Sequence, residues 1–256
     1  MIHETAIISD SAEIDAGVSI GPFSIIGDHV RIGAGTRIES HVVVRGPTTI
    51  GRDNHIYQFC SIGDEPQDKK YAGESTSLTI GDRNTIREHC TFSRGTVQDG
   101  GTTSIGDDNW IMANVHIAHD CQVGNQTIFA NNATLAGHVH VGDWAIFAGF
   151  SGAQQFCRIG AHSFLGAYSG TNRDVPAYAM VAGLPSEPRG INSEGLRRRG
   201  FTSEQIANIK NAYRIVYRQG LKLAEAIRQL EALQPEQPEL EIFVASLKDT
   251  GRGLLR

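Results

Sequence analysis

An aliphatic residue recurs at every sixth position along most of this chain, and few architectures accept such a period. The run begins Ile2, Ile8, Ile14 and continues to Ile56 and Ile62. It resumes at Ile80, Ile86 and Phe92, and again from Ile105 and Ile111 to Ile159 and Leu165. An amphipathic helix repeats at 3.6 residues and a half-buried strand at 2, so neither explains six. Short strands wound around a three-sided prism do, with one hexad per face and three hexads per coil. The sequence therefore predicts a mainly β chain whose core is a parallel β-helix of hexapeptide repeats. Residues eighteen apart should then lie one above the other, about 4.8 Å apart. Each buried rung contributes roughly 1.5–3 kcal/mol, most of it offset by ordering the chain.

The residue after a rung is often glycine (Gly21, Gly27, Gly33, Gly51, Gly124, Gly142, Gly160), which reads as the bend between faces. Cys60, Cys90, Cys121 and Cys157 each fall two residues before a rung and form no C-x-x-C pair, so all four read as small buried hydrophobes. Two segments, 63–79 and 95–104, interrupt the ladder between rungs and should project as loops, a common home for function. After Leu165 the pattern fades. Residues 1–190 thus read as the coil and 191–256 as an α-helical C-terminal domain. Thr202-x-x-Gln205 opens its first long helix as a capping box, Gly220 interrupts it, a second helix covers Leu223–Leu233, and a third runs Glu239–Leu247.

The net charge of -5 argues against nucleic acid as the main partner. The opening Met1-Ile2-His3-Glu4-Thr5-Ala6 lacks the basic-then-apolar layout of a signal peptide. No run of eighteen apolar residues exists to span a membrane. A cytosolic location is expected.

Stacking arithmetic also assembles a site. Eighteen residues on from His119 is Gly137 and eighteen further is Gln155, each two past a rung. His138 sits beside Gly137, and His116 lies three residues before His119. An imidazole that can deprotonate a hydroxyl and a glycine N–H that can hold an oxyanion suit acyl transfer. Cys121 points inward, so direct transfer is expected rather than a covalent enzyme intermediate. Three imidazoles near one corner are equally a ligand set for zinc with water as the fourth ligand.

With these residues in view, the chain closely resembles the cytosolic UDP-N-acetylglucosamine acyltransferases that begin lipid A synthesis. The likeness rests on Gln67-Asp68, Lys70-Tyr71-Ala72-Gly73-Glu74, Arg94-Gly95-Thr96, Ile117-Ala118-His119-Asp120-Cys121, Asn131 to His138, and Asn192-x-Glu194-Gly195-Leu196-x-Arg198-Arg199-Gly200-Phe201. It implies a left-handed helix, an exception to the usual crossover hand, and a homotrimer with sites between subunits. It implies no cofactor and no metal. It also implies roles: His119 as base, Asp120 orienting it, and the Gly137 N–H as oxyanion donor. Asp68, Lys70, His116, His138 and Gln155 would contact sugar or acyl group. Asn192, Glu194, Arg198 and Arg199 would hold the UDP moiety, and Ala167 falls where the family sets acyl length. The donor would be a (3R)-3-hydroxyacyl group on acyl carrier protein, an acidic partner steered by Lys210, Arg214 and Arg218.

Two positions depart from the family pattern. Ser93 and Gln154 stand where it carries histidines, both immediately after a rung and on the corner of the site. Their loss points to an acceptor with a 3-amino group in place of the 3-hydroxyl as an alternative. Two other classes compete: a trimeric β-helix carbonic anhydrase with zinc on His116, His119 and His138, and a catalytically lapsed paralogue that binds nucleotide sugar.

Overall fold

A computed structural model describes residues 1–256. Strands of mostly two residues build three sheets of nine, eight and ten strands, parallel apart from one closing hairpin. Pairing follows the expected step of eighteen: Ile7 opposite Ile25, Ile25 opposite Val43, and His116 opposite Thr134. The two interruptions are extruded without loss of register, since Ser61 pairs with Thr91 and Thr91 with His116. Strands Ser61–Asp64, Ser77–Ile80 and Thr102–Ile105 reach into the predicted loops and shorten them.

The rungs fill the prism, and a cluster of 38 buried residues runs its length. All four cysteines are buried and free. Burial pushes the Cys121 thiol up to about 12, which removes it as a nucleophile at neutral pH. The coil continues past Leu165, where the period fades. Val175 bridges to Ile159 and Val181 pairs with Leu165, so one more turn is laid before the antiparallel strand Glu187–Ile191 closes the stack. The rung at 171 is a threonine and the step from it to Val175 is four residues instead of six, which breaks the period count.

The bends are not at the glycines that follow the rungs. They lie three residues before the next rung, in the left-handed backbone region, and non-glycine residues occupy most of them: Asp120 at φ 59°, His138 at 62° and Phe156 at 67°. Such a conformation costs an L-residue ~1–2 kcal/mol. Backbone pairing between coils offsets it, as in His138 N–H to His119 C=O at 3.0 Å and Phe156 N–H to Gly137 C=O at 3.1 Å. The post-rung glycines serve close approach instead. A Cβ on Gly33 would stand 2.7 Å from the Gly51 carbonyl.

The C-terminal region holds α1 (Ser193–Arg198), α2 (Ser203–Arg218), α3 (Leu223–Leu233) and α4 (Glu241–Lys248). The Thr202 box is complete: its hydroxyl accepts from Gln205 N–H, and the Gln205 side chain accepts from Thr202 N–H. The last helix starts later than its apolar pattern suggested, because Pro238 opens a 3-10 turn through Leu240. Helix α1 was read only as a binding motif. Apolar positions of α2 and α4 join Ala177, Tyr178 and Ile191 of the final coil in a second core of 15 buried residues. Tyr178 locks the two together, its hydroxyl donating to Glu239 C=O at 2.7 Å.

Candidate active site

The stacking expected of residues 119, 137 and 155 is present. A Cβ placed on Gly137 would lie 2.5 Å from His119 Cε1 and 2.7 Å from Nε2, so the imidazole fills the space that glycine leaves. Gln155 is one coil beyond, next to Phe156, whose N–H bonds Gly137 C=O. His119, Gly137 and Gln155 line one cleft of about 480 Å³ with Asp68, Lys70, His116 and Ser93. The loop after Ser61–Asp64 supplies Asp68 and Lys70, and the coil corner supplies the rest.

His119 is buried and donates from Nδ1 to Asp120 Oδ2 at 2.9 Å, which leaves Nε2 with no partner in the chain. The Asp120 carboxylate is wholly enclosed. Thr96 N–H donates to its Oδ1 at 2.8 Å and the Thr96 hydroxyl to its Oδ2 at 2.6 Å, while Asp120 N–H donates to Thr103 Oγ1 at 2.8 Å. A carboxylate held this way fixes the tautomer of its histidine. The Gly137 N–H donates to no group of the chain. His116 lies 2.8 Å from Thr91 Oγ1 through Nδ1, and burial keeps its imidazole below the ordinary range and neutral.

His138 stands behind the cleft rather than in it. Its Nδ1 donates to Asp99 Oδ2 at 2.8 Å, its ring meets His119 edge-on at 5.0 Å, and Phe156 stacks on it at 4.4 Å. The set of three histidines expected as zinc ligands is not assembled within one chain. The close group is His119, Asp120 and His138, and His116 falls outside it. Gln154 departs too. It lines a neighbouring groove of about 500 Å³ with Leu184 and Gly170, which meets the cleft only at Ala136, whereas Ser93 is in the cleft itself.

The other residues expected at the site are on other edges of the prism. Asn192 caps α1 by accepting from Gly195 N–H at 3.1 Å and donates to His162 C=O at 3.0 Å. Arg199 donates to His162 Nδ1 at 3.1 Å and to Trp144 C=O at 2.9 Å, with its guanidinium over the Trp144 ring. Glu194 pairs with Arg197 and Arg198 in solvent. Those contacts are at the edge between the strands Arg158–Ile159 and Phe164–Leu165, and Ala167 is on the third edge, just past Phe164–Leu165. Thr96, Thr103, Asp99 and Thr91 were not anticipated. Three of them come from the 95–104 interruption, where no period reaches.

Coils of hexads carrying an imidazole–carboxylate pair over a bare glycine define a hexapeptide-repeat transferase. A profile described as bacterial transferase hexapeptide (six repeats) matches residues 5–40 and 102–137, and one described as UDP N-acetylglucosamine O-acyltransferase, domain 2, matches 174–255. Acyl-[acyl-carrier-protein]–UDP-N-acetylglucosamine O-acyltransferases of Verminephrobacter eiseniae and Herminiimonas arsenicoxydans are 55% and 53% identical, over 100% of this chain and 99% of theirs. The solved LpxA of Acinetobacter baumannii superposes with a TM-score of 0.98 at 50% identity, covering 100% of this chain and 99% of that one. The Moraxella catarrhalis UDP-N-acetylglucosamine O-acyltransferase gives 0.98 at 49%, with the same coverage. The chain belongs to the acyl-[acyl-carrier-protein]–UDP-N-acetylglucosamine O-acyltransferase family and is an acyltransferase.

Proposed function

We propose that this enzyme transfers a (3R)-3-hydroxyacyl group from acyl carrier protein to the 3-hydroxyl of UDP-N-acetylglucosamine, the first step of lipid A synthesis, in the cytoplasm. The observation that carries the reading is the Asp120-held His119 stacked on Gly137 in one cleft. Nε2 of His119 takes the proton of the 3-hydroxyl as its oxygen attacks the thioester carbonyl. The carbonyl oxygen gains the negative charge and the Gly137 N–H holds it. Collapse breaks the carbon–sulfur bond, and the carrier thiolate leaves with the proton that His119 had taken. Asp120 offsets the imidazolium charge in between. No covalent enzyme intermediate is needed, in keeping with the buried Cys121 thiol.

In this reading Asp68, Lys70, His116 and Gln155 bind the sugar and acyl ends, and His138 supports His119 from behind. Asn192, Glu194, Arg198 and Arg199 would hold UDP, and Ala167 would set acyl length. Because these two sets occupy other edges, they reach a cleft only across subunits, which is the reason to expect a homotrimer. Lys210, Arg214 and Arg218 form one exposed face of α2, suited to the acidic carrier protein. The decisive test is His119→Ala assayed with a hydroxyacyl carrier protein and UDP-N-acetylglucosamine: turnover should fall at least ~10²-fold, and near-normal turnover refutes the base. Ser93 in the cleft favours a second reading, transfer to a 3-amino sugar giving an amide. A higher kcat/KM for the 3-amino acceptor selects it.

A further inference from the structure

The catalytic reading uses nothing from the tripeptide Arg94-Gly95-Thr96, yet this segment touches both walls of the cleft. Thr96 grips the Asp120 carboxylate by hydroxyl and N–H together, at 2.6 and 2.8 Å. Arg94, only 8% exposed, extends the opposite way. Its Nη1 donates to Gly63 C=O at 2.9 Å and Gly46 C=O at 3.1 Å, and its Nη2 donates to the Tyr71 hydroxyl at 3.0 Å. Tyr71 in turn donates to Glu74 C=O at 2.9 Å, which closes the loop that presents Asp68 and Lys70. No carboxylate pairs with this buried guanidinium: its two Nη groups donate to backbone and one phenol, and its Nε is buried with no partner. Between the two arms Gly95 has no room for a Cβ, which would stand 2.3 Å from Thr102 N and 2.8 Å from Asp120 Oδ1.

We propose that Arg94-Gly95-Thr96 is a two-armed positioning element. Thr96 fixes the imidazole–carboxylate pair, and Arg94, through Tyr71, fixes the substrate loop 65–76. Neither residue touches reacting atoms. The planar fork of arginine suits its arm, because two carbonyls and a hydroxyl must be reached from one rigid group, which a lysine ammonium cannot do. The inference rests on His119 as the base, and it assigns the two arms to different kinetic constants.

Initial rates of the full-length enzyme with a hydroxyacyl carrier protein and UDP-N-acetylglucosamine test it. Thr96→Val keeps shape and the N–H but removes the hydroxyl donor. It should lower kcat about 10- to 100-fold, the effect of one hydrogen bond to a charged group, with both KM values within about twofold. Thr96→Ser should restore most of kcat. Tyr71→Phe should do the reverse, raising KM for the UDP-sugar about 5- to 10-fold, a weaker neutral contact, with kcat within about threefold. Arg94→Lys should match Tyr71→Phe, and the double variant should be no worse than either alone. Because Arg94→Lys replaces a buried guanidinium that holds three acceptors and can unfold the chain, Tyr71→Phe carries that arm by itself. Wild-type kcat in Thr96→Val, no rescue by serine, or kcat and KM moving together in all variants would overturn the proposal. If His119→Ala is inactive in the same assay, such a result sinks this inference alone. If His119→Ala remains active, the reading beneath it falls.

Discussion

Two histidines on neighbouring edges of the same prism live opposite lives. His119 donates a hydrogen bond from Nδ1 to an enclosed carboxylate and keeps Nε2 free over Gly137. His162 accepts at Nδ1 from the Arg199 guanidinium and is packed among Tyr178 and Phe201. Burial first, then Arg199, pushes its imidazole down to about 4, so it is a neutral acceptor that docks the helical region. The lesson is that a coil corner does not decide what a histidine does. The charge placed against Nδ1 does: an anion leaves the other nitrogen available as a base, and a cation makes the ring a structural acceptor.

The sharpest way to break that contrast is His119→Ala, with its expected loss of at least ~10²-fold in kcat, against His162→Ala, which should act on stability. Gly137→Ala comes next. Its Cβ would press within 2.5–2.7 Å of the His119 ring, so about 10²-fold in kcat should go by misplacement alone, with the circular dichroism spectrum unchanged. Third is Arg199→Ala, which strands His162 Nδ1 and Trp144 C=O. Urea unfolding should show a loss of about 1–3 kcal/mol.

Acidity separates the two edges further. The unfolded His162 titrates near 6.5 and the folded one near 4, so between those values the unfolded chain binds the extra proton. Stability should therefore be full above the upper value and fall as the pH drops from about 6.5 to about 4. His162→Phe should flatten the urea midpoint over that window. The smallest effect belongs to Arg198→Ala. Its side chain is in solvent on Glu194, so stability should move by no more than about 0.5 kcal/mol, while KM for the UDP-sugar rises if the residue binds UDP.

How much of this was readable in advance follows from register. Everything set by the six-residue period could be computed, including the column 119, 137, 155 and the inward cysteines, because strand pairing converts sequence spacing into height. The last turn fell inside the boundary drawn at 190, but its rungs could not be counted, because Val175 and Val181 stack sixteen rather than eighteen residues after Ile159 and Leu165. The bend was placed on glycine by habit, although coil-to-coil backbone bonds let Asp120 and His138 adopt the left-handed region. Thr96, Asp99 and the reach of Arg94 were out of range, since an extruded loop returns to the prism at a height no count predicts. Arg199 was expected at the nucleotide by likeness alone, and its ties to His162 and Trp144 needed coordinates.

The left-handed corners have one more consequence. A side chain mounted there hangs outside the prism, while its peptide groups are already claimed by the coils above and below. Fittings can therefore be exchanged without relaying the aliphatic interior. Moving a chemical group by three hexads slides it a single strand spacing along the axis with no rotation. The scaffold works as a graduated rail, on which the distance between an acid, a base and a binding group can be altered in fixed increments.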